Sequence, residues 1–446
     1  MQHRPMSHSL PRRFTAALAG AAALALAAPA AAQLSPQEEA IVTAVDSGQD
    51  DIIAFHKAIV EINSGTHNAP GVRAVADVVI PELEALGFDV EWIDQSAQGR
   101  AGHVFARHAG AEGTTRMLLI GHLDTVFEPS APFQDYTREG DRVTGPGAED
   151  DKGGVAIMLA ALRAMYQAGT LQGANIIVAL TGDEEAVGSP REEARADLLA
   201  AAMESDVALD FEGLAQVDGK DMGSIARRSS NSWQVETTGN EGHSSRIFSD
   251  GVGYGAIYEL VRILNAFREE LPEEDLTYNV GIIAGGSEAS LSDDRLSAKA
   301  YGKGNIIPPV AVARGDFRTI SPEQTDRVVA KMEAIVAQNN LPGTTATLEV
   351  SRGYPPMAPT EGNAALLDRL NAINTDLGLE TMAVLPPIMR GAGDINFVAP
   401  YVDGLVGFGA AGGNGHAPGE WADLSSFPRQ AKRAAILMTR LAQERP

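Results

Sequence analysis

Apolar residues recur along this chain in two rhythms. Ile41, Val42 and Val45, then Ile52, Ile53, Phe55, Ile59 and Val60, sit at helical spacing and predict a helix pair over 35–62. Residues 72–86 repeat the pattern, with Gly87 as a plausible stop. Short unbroken apolar runs at 116–120, 175–180 and 207–211 predict buried strands. Helical stretches at 153–168 and 191–203 separate them. Strands alternating with helices imply an α/β fold, a mostly parallel sheet flanked by helices.

Near residue 225 the rhythm changes. A strand over 232–238 precedes a long amphipathic helix over 252–270. Three β-like runs follow at 276–283, 296–301 and 310–320, then a helix at 322–339 and a strand at 345–350. This order predicts an α+β domain inserted into the first. Alternation resumes after about 353, with a last strand at 405–408 and a closing helix at 424–443. The expected divisions are a leader at 1–32, a catalytic domain split over 33–225 and 353–446, and an inserted domain at 226–352.

The leader expectation comes from the first residues. Arg4, Arg12 and Arg13 precede an Ala/Leu-rich run, and Ala30-Ala31-Ala32 offers a cleavage site. That pattern predicts export to the periplasm or beyond, with no membrane attachment once the leader is cleaved. The formal charge is -24, and losing three arginines makes it -27. Such a chain repels phosphate backbones, which argues against a nucleic-acid partner. There is no cysteine, so disulfides and thiolate zinc sites are excluded.

Five short segments carry the candidate chemistry. They are Gly121-His122-Leu123-Asp124, Glu149-Asp150-Asp151-Lys152-Gly153-Gly154, Asp183-Glu184-Glu185, Asp210-Phe211-Glu212 and Gly415-His416-Ala417. Each follows a predicted strand or joins a strand to a helix, and open α/β sheets build sites at the carboxyl ends of their strands. A catalytic zinc takes imidazole nitrogen and carboxylate oxygen and keeps a position for water. Two such ions need a shared carboxylate, further ligands on each, and a free carboxylate to take a proton. Singly, these motifs read as a polar loop, a helix N-cap and a charged turn. Together they predict a metal-dependent hydrolase.

The segments resemble the co-catalytic zinc exopeptidase family of glutamate carboxypeptidase, aminoacylase-1 and succinyl-diaminopimelate desuccinylase, from about residue 50 onward. The resemblance implies two Zn2+ per chain, with Co2+ or Mn2+ as substitutes. It implies that Asp150 bridges, that its bond to Asp151 is cis, that His122 and Glu212 complete one site, and that Glu185 and His416 complete the other. Asp210 is the alternative to Glu212. Glu184 would be the general base, and Asp124 would hold the His122 ring. The inserted domain would be a ferredoxin-like lid that forms a homodimer. Gly242-His243-Ser244 resembles a lid segment whose histidine steadies the oxyanion across the dimer. Asn305, Arg318 and Gly393 match substrate-binding segments. The implied activity is carboxypeptidase cleavage of an amide beside a carboxylate-bearing residue. N-acyl-amino-acid deacylation is the alternative, and a metal-free binding protein of the same fold is a third.

Overall fold

The computed structural model describes residues 34–445. The leader expected at 1–32 lies outside them. Ser35 starts the first helix, Pro36–Ser47, with a reciprocal capping box to Glu38.

The larger sheet has six strands in the order Asp89–Asp94, Gly102–His108, Asn175–Thr181, Arg116–His122, Val207–Asp210 and Asp403–Val406. The last four run parallel to their neighbours, and Gly102–His108 pairs antiparallel on both sides. The first two strands were not singled out by pattern. Asp89–Asp94 is a half-exposed edge strand with charged residues, so it carries no apolar run. Along Arg116–His122, Met117 and Leu119 enter one core while Leu118 and Ile120 enter another. Both faces are therefore covered, as a parallel sheet requires. The helices Lys152–Gln167 and Ser426–Leu441 bury most of their length on the first face.

The smaller, inserted domain has a four-stranded antiparallel sheet in the order Thr277–Gly286, Val310–Arg318, Ser230–Gly239 and Thr344–Tyr354. The helices Ala256–Glu270 and Pro322–Ala337 pack on it around Trp233, Phe267 and Phe317, a core separate from the first. Two details differ from the pattern. The run expected at 296–301 is a strand only over Ala298–Tyr301, and it pairs with Glu288–Leu291 in a two-stranded ribbon of its own. The helix expected from 252 starts at Ala256, because Gly253 and Gly255 have φ of 82° and 75°. That left-handed geometry interrupts a helix and suits glycine. Among the described residues no helix is long and apolar enough to cross a membrane.

Candidate metal centre

Three strands of the larger sheet end at the site. His122 and Thr181 close the two central strands, and Asp210 closes the next. The turns beyond them carry Asp124, Glu184, Glu185 and Glu212. The Asp150 turn leads into the helix Lys152–Gln167, and the Asp150–Asp151 peptide bond is cis.

Asp150 is the hub. His122 Nε2 lies 3.0 Å from its Oδ1, and His416 Nε2 lies 3.0 Å from its Oδ2. His416 Nε2 is also 3.2 Å from Glu185 Oε2. Two groups of side chains are close enough to share an ion: His122 with Glu184 and Glu185, and Asp150 with Glu185 and His416. Burial opposes ionisation of Asp150, but hydrogen bonds from His122 and His416 outweigh it and hold the carboxyl far below its usual range. Burial, then neighbouring negative charge, pushes Glu185 well up; Glu184 is raised chiefly by burial. The same causes push Glu149 up to about 8 and Glu420 up to about 7. A buried set of oxygen and imidazole donors that crowd one another in this way fits divalent cations.

Asp124 is completely buried beneath the centre. His122 Nδ1 lies 3.1 Å from its carbonyl oxygen and 3.3 Å from its Oδ1. Its carboxylate also accepts from Glu184 N at 3.0 Å, Glu185 N at 3.2 Å and Thr66 Oγ1 at 2.6 Å. One side chain therefore orients the imidazole and the acidic turn together. Asp183 plays a different part. Arg195 bridges it to Asp394, at 2.5 Å and 2.8 Å, which ties the acidic turn to the glycine loop.

Glu212 faces the same cleft but is not in either candidate ion group. Arg227 Nη1 holds its Oε1 at 2.5 Å, and Arg390 Nη2 is 3.4 Å from its Oε2. Asp210 is 1% exposed and 3.3 Å from Arg227, with its carboxyl pushed up to about 7 by burial and then by Glu212. Gly393 packs so tightly that a Cβ there would lie 2.1 Å from Glu212 Oε1, so no larger residue fits. The cleft measures about 410 Å³ and is lined by Glu149, Asp150, Glu184, Glu212, Arg227 and Arg390, among others.

His243 and Asn305 do not line this cleft. They meet each other elsewhere: Gly242–His243 pairs with Ile306–Ile307, and Ser244 N donates to Asn305 O at 2.9 Å. His243 is exposed, with Nδ1 2.9 Å from Ser245 Oγ. Arg318, at the end of its strand, is about one-third exposed beside Asp316.

Sequence pattern missed three contributors. Glu420 accepts from Glu149 N at 3.0 Å and Asp150 N at 3.1 Å, which fixes the Asp150 turn. Arg227 and Arg390 clasp Glu212. The only available signal was position: Glu420 lies four residues past His416, and Arg390 adjoins the Gly391-Ala392-Gly393 run.

This fold and this donor cluster define a metal-dependent hydrolase with a co-catalytic pair of metal ions. The chain belongs to peptidase family M20/M25/M40, whose sequence model matches residues 118–440. It is 28% identical over 435 residues to carboxypeptidase G2 of Pseudomonas sp. (strain RS-16), covering 94% of this chain and 96% of that protein. It is 25% identical to succinyl-diaminopimelate desuccinylase of Nitrosospira multiformis, over 85% and 96% of the two chains. Its fold matches that of aminopeptidase PepT from Bacillus cereus with a TM-score of 0.67 at 16% identity, over 88% of this chain and 99% of that one.

Proposed function

We propose that this protein is an exported carboxypeptidase of glutamate type, which hydrolyses the amide that joins a C-terminal amino acid to an acyl or peptidyl group. The observation that carries the reading is the meeting, in one cleft, of the Asp150-centred cluster with Arg227 and Arg390. The cluster serves the amide, and cationic side chains serve a carboxylate. A volume of about 410 Å³ is at the small end of the roughly 300–1,000 Å³ usual for ligand pockets. The similarity to carboxypeptidase G2 along nearly the whole chain supports the same reading.

In this reading Asp150 is shared, His122 and Glu212 serve one ion, and Glu185 and His416 serve the other. The pair of ions, when bound, supplies Lewis acidity and a water of pKa lowered toward ~7. Glu184 takes the proton from the attacking water and later hands it to the leaving amine. Asp124 keeps the His122 ring and the Glu184 turn in place. Glu212 is preferred over Asp210 because it faces the cleft whereas Asp210 is buried beneath it. Arg318 takes the terminal carboxylate, with Asn305 and Gly393 beside the substrate.

The inserted domain serves as a lid and as the dimer surface. Ile257, Tyr258 and Val261 on its first helix are exposed, and so are Val280 and Ile283 on the edge strand. A self-complementary apolar face of that kind suits a second copy. His243 would then reach the partner's cleft and stabilise the oxyanion. Mixing His243→Ala with Glu184→Ala protomers should restore part of the activity. No recovery in verified heterodimers would rule out action across the dimer.

The deciding assay sets C-terminal dipeptides against N-acetyl and long-acyl amino acids with zinc restored. Preference for the peptides supports the carboxypeptidase. Preference for the acyl amino acids gives the deacylase, which the similarity to the desuccinylase favours.

A further inference from the structure

The two guanidinium groups in the cleft are used differently. Arg227 is 3% exposed and fully engaged by the protein. Its Nε donates to Gly391 O at 2.7 Å and its Nη2 to Ala392 O at 2.6 Å, while Nη1 holds Glu212 and Asp210. Arg390 has a single contact, 3.4 Å from Glu212 Oε2, an acceptor group already held by Arg227. Its Nε is buried and has no hydrogen-bond partner. A guanidinium presents five N–H donors in a planar fork matched to a carboxylate. A buried donor left without an acceptor is costly, and more so on a charged group.

A second guanidinium serves the same turn. A methyl group at Gly391 would lie 3.9 Å from Arg318 Nη1. Arg318 and Arg390 thus offer separate cationic heads around one loop. The rest of the charged lining is mostly carboxylate: Glu149, Asp150, Glu184 and Glu212. A second anionic group on a substrate would be repelled there unless a cation received it. Met389, exposed beside Arg390 on the cleft wall, offers apolar contact for a short methylene chain.

We propose that Arg390 is a specificity-determining residue that binds a second anionic group, the side-chain carboxylate of the residue released. The favoured leaving residue is then a dicarboxylic amino acid. This inference rests on the carboxypeptidase reading above. Arg318 takes the terminal carboxylate, and Arg390 separates glutamate from its neutral isostere, glutamine.

The test compares kcat/KM of the zinc-loaded enzyme on matched acyl substrates ending in Glu, Gln and Leu, for wild type, Arg390→Gln and Arg390→Lys. Wild type should favour Glu over Gln by roughly 10–100-fold, the range expected of a charge-assisted contact. In Arg390→Gln the ratio should fall toward one, and Arg390→Lys should recover part of it. Calorimetric titration with free glutamate and glutamine should show the same discrimination in binding. A Glu/Gln ratio unchanged in Arg390→Gln overturns the assignment while leaving the carboxypeptidase intact. So does an equal loss on all three substrates. If the variants fail to fold, a wild-type ratio near one overturns it alone. No turnover of any substrate by wild type brings down the carboxypeptidase reading, and this inference with it.

Discussion

His122 and His416 lie equally close to Asp150, yet the two sides of the centre are built in opposite ways. His122 ends a central strand, is 2% exposed, and rests on the buried carboxylate of Asp124. His416 is 59% exposed and sits on a loop whose backbone is left-handed at both Asn414 and His416, with φ of 62° at each. Non-glycine residues adopt that conformation at a cost, so the surrounding turn must hold it. One histidine is set by the sheet and its hydrogen bonds. The other depends on a surface loop and on what it grips. The buried side should therefore carry fold stability, and the exposed side should chiefly carry affinity for the metal ions.

The largest effect should come from the group that serves both sides. Glu184→Gln is expected to lower kcat about 10³-fold while two metal ions per chain remain bound. Steady-state kinetics with metal analysis checks this, and near-normal turnover would remove Glu184 as the base.

Next comes the buried support. Asp124→Ala strips acceptors from His122, Thr66 and the N–H groups of Glu184 and Glu185. It should destabilise the metal-free fold by about 3 kcal/mol and weaken metal binding about 10–100-fold. Urea melts and metal titration measure the two separately. A variant as stable as wild type would erase the contrast between the sides.

A pH series sharpens it. His56 is fully buried, with Nε2 2.9 Å from Ala148 O just before the Asp150 turn. Burial, with a smaller push from Lys152, lowers its pKa from 6.5 to about 4 against the opposing carbonyl contact. The folded state keeps His56 neutral in that window while the unfolded chain takes up a proton. Stability is therefore lost as pH falls from about 6.5 toward 4, by up to roughly 3 kcal/mol. The wild-type melting curve should be steeper than that of His56→Gln across this window. Parallel curves would refute the contribution.

The smallest expected stability change is at the exposed side. His416→Ala should leave chelator-treated protein within about 0.5 kcal/mol of wild type while reducing metal content. A large loss of stability without metal would mean that the loop supports the fold.

Much of this molecule was legible in the linear pattern, and the reason is local. A buried strand announces itself as an apolar run, and the residue after it must emerge at the sheet edge. His122, Glu185 and the Asp150 turn could therefore be found from neighbours alone. What the chain order could not reveal were contacts made across long separations. Arg227 reaches Gly391 and Ala392, and Glu420 reaches the amides of Glu149 and Asp150. A lone arginine or glutamate has no periodicity, so nothing near it in sequence marks its partner. The same holds for His243 and Asn305, which pair with each other away from the cleft. Sequence by itself determined the sheet, its covered faces and the donor-bearing turns, because burial and strand direction act over a few residues. Tertiary structure alone decided that Glu212 faces the cleft while Asp210 is buried, and that one arginine is engaged and the other free to donate, because those outcomes depend on loops that packing brings together.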